Sequence, residues 1–106
     1  MKVFLIQATP PSAVWPRGRF RSRWVPTGIA QLAAELRRNG HAVQLLPRQV
    51  QLAKLNFDWS AADRQLDAML DDFRPDMVGF SLFSPALPEG QRLADRVKRR
   101  LGPHVL

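Results

Sequence analysis

The chain has 106 residues, enough for one small domain (1–106) and too few for two, and 45% hydrophobic content marks a folding sequence rather than a disordered one. It contains no cysteine, which excludes disulfides, a thiolate nucleophile and a Cys-held zinc or iron–sulfur cluster within these residues. The net charge of +7 is partly ordinary: Arg37 and Arg38 close one expected helix and Lys98, Arg99 and Arg100 close another, where basic residues complement the helix dipole and are usually solvated.

Residues 3–6 form a continuous apolar run suited to a strand buried on both faces of a parallel sheet. The run is too short for a signal-peptide core, and no apolar run approaches the ~20 residues that span a bilayer, so a cytoplasmic protein without membrane contact is expected. Gln7-Ala8-Thr9-Pro10-Pro11 ends the strand, because two prolines cannot continue a central one. Residues 10–26 read as a long loop rich in Pro, Arg and Trp, and loops of that length are commonly functional. Within it Arg17, Arg19, Arg21 and Arg23 surround Phe20 and are bracketed by Trp15 and Trp24.

From Thr27 the period becomes helical, with Ile29, Leu32, Ala33 and Leu36 on one stripe and Gly40 placed to end it in a left-handed conformation. Residues 41–46 read as a second strand ended by Pro47, and residues 47–59 read as irregular. Ser60-Ala61-Ala62-Asp63 reads as a capping-box variant opening a second helix with Leu66, Met69, Leu70 and Phe73 on its apolar face. Pro75 ends that helix, and residues 77–83 read as a third buried strand. Pro88 suits the first turn of a third helix, whose apolar face is Leu93, Ala94, Val97 and Leu101. Gly102 and Pro103 stop it, and His104, Val105 and Leu106 read as the start of a fourth strand. Strands alternating with helices imply an α/β fold of Rossmann-like or flavodoxin-like type: a parallel sheet of three to four strands with three flanking helices and right-handed crossovers.

Three stretches carry a resemblance. They are Lys2-Val3-Phe4-Leu5-Ile6 with Pro10-Pro11; Pro26-Thr27-Gly28-Ile29-Ala30-Gln31-Leu32-Ala33-Ala34 leading through Asn39-Gly40-His41; and Arg74-Pro75-Asp76-Met77-Val78-Gly79-Phe80-Ser81. In that order they resemble the N-terminal cobalamin-binding domain of cobalamin-dependent radical S-adenosylmethionine enzymes. The resemblance implies a corrin held outside the carboxyl ends of the strands. On that basis the cofactor-binding candidates are Thr9, Pro10, Trp15, Trp24, Thr27, Gly28, Ser81, Leu82, Phe83 and Ser84. The family's Gly-Gly pair after strand four is expected beyond residue 106, so the sheet is expected to be incomplete here.

The resemblance further implies methyltransferase or cobalamin-assisted radical chemistry in a parent enzyme. S-adenosylmethionine and a 4Fe-4S cluster would belong to a separate barrel, in the same or a partner chain. Residues 7–28 contain no histidine, and His41 and His104 sit at strand beginnings, so no histidine ligand to cobalt is expected. No catalytic residue is expected in this chain alone.

The Arg/Trp loop has other readings. It could dock a partner domain, or bind nucleic acid through arginines with interleaved aromatics, the weaker of the two. Thr27 reads as an N-cap as readily as a ligand group. Asp63, Asp67, Asp71 and Asp72 read as a solvated helix face rather than a metal site. Self-association through an exposed edge of the third strand is expected if the fourth is incomplete.

Overall fold

A computed structural model describes residues 1–8, 27–81 and 87–102. Three strands form one parallel sheet in the order β2-β1-β3: β1 (Lys2–Gln7), β2 (Ala42–Pro47) and β3 (Met77–Ser81). The central strand pairs Lys2 through Gln7 with Ala42 through Pro47 on one side, and Val3 through Gln7 with Met77 through Ser81 on the other. Four helices flank it: α1 (Thr27–Arg38), α2 (Arg48–Lys54), α3 (Trp59–Phe73) and α4 (Leu87–Leu101). This is the expected α/β architecture, with one helix more than the sequence led us to expect.

Alternation along β1 divides the core in two, because successive side chains point to opposite faces. Val3 and Leu5 pack with Ala33 of α1 and Val43 of β2. Phe4 and Ile6 pack on the other face with Leu66 and Leu70 of α3 and Leu93 and Val97 of α4. The continuous apolar run of residues 3–6 is thus explained: all four are buried. In β3 only Val78 is buried and its neighbours are half-buried, since β3 is an outer strand among the described residues. Leu32, expected on the apolar stripe of α1, is 49% exposed, because α1 meets the sheet through Ala33 and Leu36.

Two expectations are corrected. Residues 47–59 are not irregular throughout, for Arg48–Lys54 is a helix that buries Arg48, Gln51 and Leu52. Helix α3 begins at Trp59, ahead of the Ser60 box; Asp58 is its N-cap, accepting a 3.0 Å hydrogen bond from the Ala61 N–H. Pro47 is the last residue of β2, tolerated because β2 is an outer strand among the described residues, and it doubles as the N-cap position of α2. Gly40 takes φ +89° and Arg74 takes φ 50° at the C-cap of α3. Residues 82–83 of the expected third strand and residues 104–106 of the expected fourth lie outside the described residues.

Candidate functional site

A parallel arrangement sends every strand one way and every crossover helix back, so the carboxyl ends of β1 and β3 and the N-termini of α1, α3 and α4 share one end of the molecule. There Gln7 pairs with Ser81, and the Ala8 N–H donates to the Ser81 carbonyl at 3.0 Å, so the two strands stop level with each other. Gly28, in the first turn of α1, is exposed, and a Cβ built on it would meet none of the described residues within 4 Å.

Of the residues singled out from sequence, Gly28 and Ser81 are brought to this common end, and Thr27 joins them as the first helical residue of α1, one place inside the cap position the sequence suggested for it. Thr9, Pro10, Trp15, Trp24, Leu82, Phe83 and Ser84 lie outside the described residues, as does the arginine cluster between Trp15 and Trp24. His41 precedes β2 at the amino end of the sheet, with Nδ1 buried and without a hydrogen bond among the described residues. His104 lies outside the described residues. Among the described residues no group of three His, Cys, Asp or Glu side chains could hold a metal ion. No helix among them is long and apolar enough to cross a membrane.

Of the acidic residues of α3, Asp72 is exposed as expected, but Asp63, Asp67 and Asp71 are paired with arginines of α4. Arg92 bonds Asp63 at 2.9 Å, Arg96 bonds Asp67 at 2.9 and 2.7 Å, and Arg100 bonds Asp71 at 2.8 and 2.6 Å. Arg100, expected to be solvated at its helix end, is therefore paired. Burial opposes the charge on Asp63, but hydrogen bonding from Arg92 and the positive charge of Arg48 outweigh it and hold the carboxyl below its ordinary range. Asp71 is lowered chiefly by its hydrogen bond from Arg100.

Behind Asp63 lies Arg48, fully buried, which sequence reading missed altogether. Its guanidinium donates to Gln51, Asp63 and Glu89, and it lies 5.7 Å from the centre of the Trp59 ring. Beside it a cavity of about 350 Å³ opens between the first turns of α3 and α4, lined by Trp59, Ser60, Asp63, Pro88, Glu89 and Arg92. It sits on the face of the sheet opposite α1, and Arg92 bridges both of its carboxylates.

A family model described as a B12 binding domain matches residues 17–106. No curated protein and no solved structure matches the chain.

Proposed function

Since the chain belongs to the family of B12 binding domains, we propose that it holds cobalamin across the carboxyl ends of β1 and β3. The observation that carries this reading is the family match, which runs through α1 and β3, the elements whose ends meet near Gly28 and Ser81. The residues present suit the group. Cobalt in a corrin already has four ring nitrogens, so the lack of a cluster of metal-ligating side chains among the described residues suits it, and no described residue crowds a Cβ at Gly28.

Thr27 and Gly28 would present the first turn of α1 to the corrin, and Ser81 would offer a hydroxyl at the end of β3. Thr9, Pro10, Trp15 and Trp24 on one connection, and Leu82, Phe83 and Ser84 on the other, are the remaining candidates. His41 stands at the opposite end of the strands, which supports a bound state with no histidine on the cobalt. The three sequence motifs further support a radical S-adenosylmethionine parent, with the iron–sulfur cluster and S-adenosylmethionine held elsewhere. Bound cobalamin supplies methyl transfer or assists radical chemistry there; this chain binds and orients it. A sequence without cysteine suits a reducing, cytoplasmic setting.

Titration of hydroxocobalamin into the full-length protein tests this. The expected result is a saturable change to the visible spectrum of cobalamin lacking both its own base and a histidine, unaltered by His41→Ala. Absence of saturable binding would overturn the reading, and a spectrum altered by His41→Ala would overturn the ligand assignment.

A further inference from the structure

We propose that the amino end of the sheet, opposite the proposed cobalamin site, is a docking surface for the acidic face of a protein partner. Parallel topology gathers there the first residues of the strands and the last turns of α1 and α3. The arginine–aspartate pairs between α3 and α4 show that these two helices run parallel, so the last turn of α4 joins them. Lys2 of β1, Arg37 and Arg38 of α1, Arg74 at the cap of α3, and Lys98, Arg99 and Arg100 of α4 are all exposed. These seven cations share the end with four carboxylates, Glu35, Asp71, Asp72 and Asp76. Elsewhere among the described residues five cations, between Arg48 and Arg96, match five carboxylates, between Asp58 and Asp95. The whole positive excess of the described residues, three charges, therefore lies at one end.

Basic residues at a helix end complement its dipole, but each dipole offsets only about half a charge. Three helix ends thus account for about half of the excess. Most of the carboxylates are already engaged: Glu35 with Arg38, Asp71 with Arg100, and Asp76 with the Lys2 N–H at 2.9 Å. The side chains of Arg74, Lys98 and Arg99 have no hydrogen bond or ion pair among the described residues. Arg74 also stands at φ 50°, where the backbone favours glycine, as expected of a residue kept for its side chain. Two of these three are arginines, whose planar forks suit carboxylates. Carboxylates interspersed among the cations break up any continuous track for phosphates, and no exposed aromatic side chain stands at this end among the described residues to stack on a base. A protein surface with spaced acidic groups fits this mosaic better than nucleic acid or lipid does. Docking here leaves the carboxyl end of the sheet free.

The test uses the full-length protein at low salt with poly-L-glutamate as probe. Two triple variants lose the same charge: Arg74→Gln/Lys98→Gln/Arg99→Gln at the amino end, and Arg17→Gln/Arg19→Gln/Arg21→Gln between Trp15 and Trp24. The first should bind about tenfold more weakly, the scale of three exposed ion pairs. The second should weaken by about twofold, the effect of net charge alone. A second measurement locates the surface in the parent protein. The chain has three lysines, Lys2, Lys54 and Lys98, and all are exposed. Lys54 stands beside the carboxyl half of β2, sharing a cavity lining with Leu46 and Pro47. Zero-length carbodiimide coupling to the probe should join Lys2 and Lys98 and spare Lys54. Equal weakening in the two variants, or coupling that favours Lys54, would overturn the surface. If the amino-end variant lost as much affinity for a DNA duplex or for phosphatidylserine vesicles as for poly-L-glutamate, the choice of a protein partner would be overturned.

Discussion

Asp67 and Arg96 meet in a two-bond fork, Nε to Oδ1 at 2.9 Å and Nη2 to Oδ2 at 2.7 Å, across 29 residues of sequence. Asp63 with Arg92 and Asp71 with Arg100 keep the same separation of 29, which repeats at intervals of four only if α3 and α4 run parallel. The middle rung has the most shielded arginine of the three, 29% exposed, paired with an aspartate 16% exposed. Replacing Arg96 with Ala should cost about 1–2 kcal/mol, since a partly buried fork is stronger than a surface pair. Arg38, paired with Glu35 at 74% and 58% exposure, should lose about 0.5 kcal/mol or less on the same change. Urea denaturation reads both, and equal losses would show that shielding of the ladder contributes nothing.

Acid should weaken the fold through Asp63. Burial alone would raise its pKa, but the Arg92 hydrogen bond and the Arg48 charge carry it below the ordinary value of 3.8. The folded chain therefore binds fewer protons than the unfolded chain, so this contribution is complete above about pH 4 and is lost as pH falls through the lowered folded value. Unfolding midpoints measured from neutral pH downward should fall steeply in the parent protein and less steeply in Asp63→Asn. Identical slopes would place the acid sensitivity elsewhere.

At Gly79 a single methyl should be felt. It pairs with Leu5, and a Cβ there would lie 2.9 Å from Leu5 Cδ2. Leu5 is buried with Val3, Ala33 and Val43, which limits its retreat. Gly79→Ala should therefore destabilise by about 1–2 kcal/mol through overpacking, outweighing the gain from a stiffer unfolded chain. A neutral or stabilising result would show that the leucine repacks freely.

The opposite sign is expected at Arg74, a left-handed C-cap with φ 50°, where a side chain is strained and glycine is not. Its N–H donates to the Leu70 carbonyl at 2.9 Å, a bond that glycine would keep. Arg74→Gly should gain about 0.5–1 kcal/mol, seen as a melting temperature several degrees higher. A loss would mean that the arginine charge near Asp71 outweighs the backbone strain.

The parallel sheet was legible because its signals are local. An unbroken apolar run marked β1, helical spacing marked α1, α3 and α4, and Gly40 marked the stop before β2. That Gly28 and Ser81 share one end follows from parallel topology alone. What stayed hidden depends on distant partners. Helix α2 is seven residues long, and two of its three buried residues, Arg48 and Gln51, are polar, so no apolar period announces it. Arg48 is buried because Asp63 and Glu89 arrive from 15 and 41 residues away, which composition cannot reveal. The aspartate ladder did leave a trace. Asp63, Asp67 and Asp71 step by four, and so do Arg92, Arg96 and Arg100; setting one series against the other would have exposed the pairing.

Such evenly spaced rungs work like a vernier. Sliding α4 by one turn along α3 would sacrifice one rung of three and re-form the other two with new partners. The displaced pairs are already close, with Arg96 at 3.8 Å from Asp63 and Arg100 at 3.6 Å from Asp67. The ladder therefore resists separation of the two helices far more than it resists their sliding, and it cannot by itself choose among alignments one turn apart. Glu89 reaching Arg48 has no such repeat: a slip of one turn, about 5.4 Å, carries it away from that guanidinium. Uniqueness of the helix register thus belongs to a single aperiodic tooth at the top of an otherwise periodic zip.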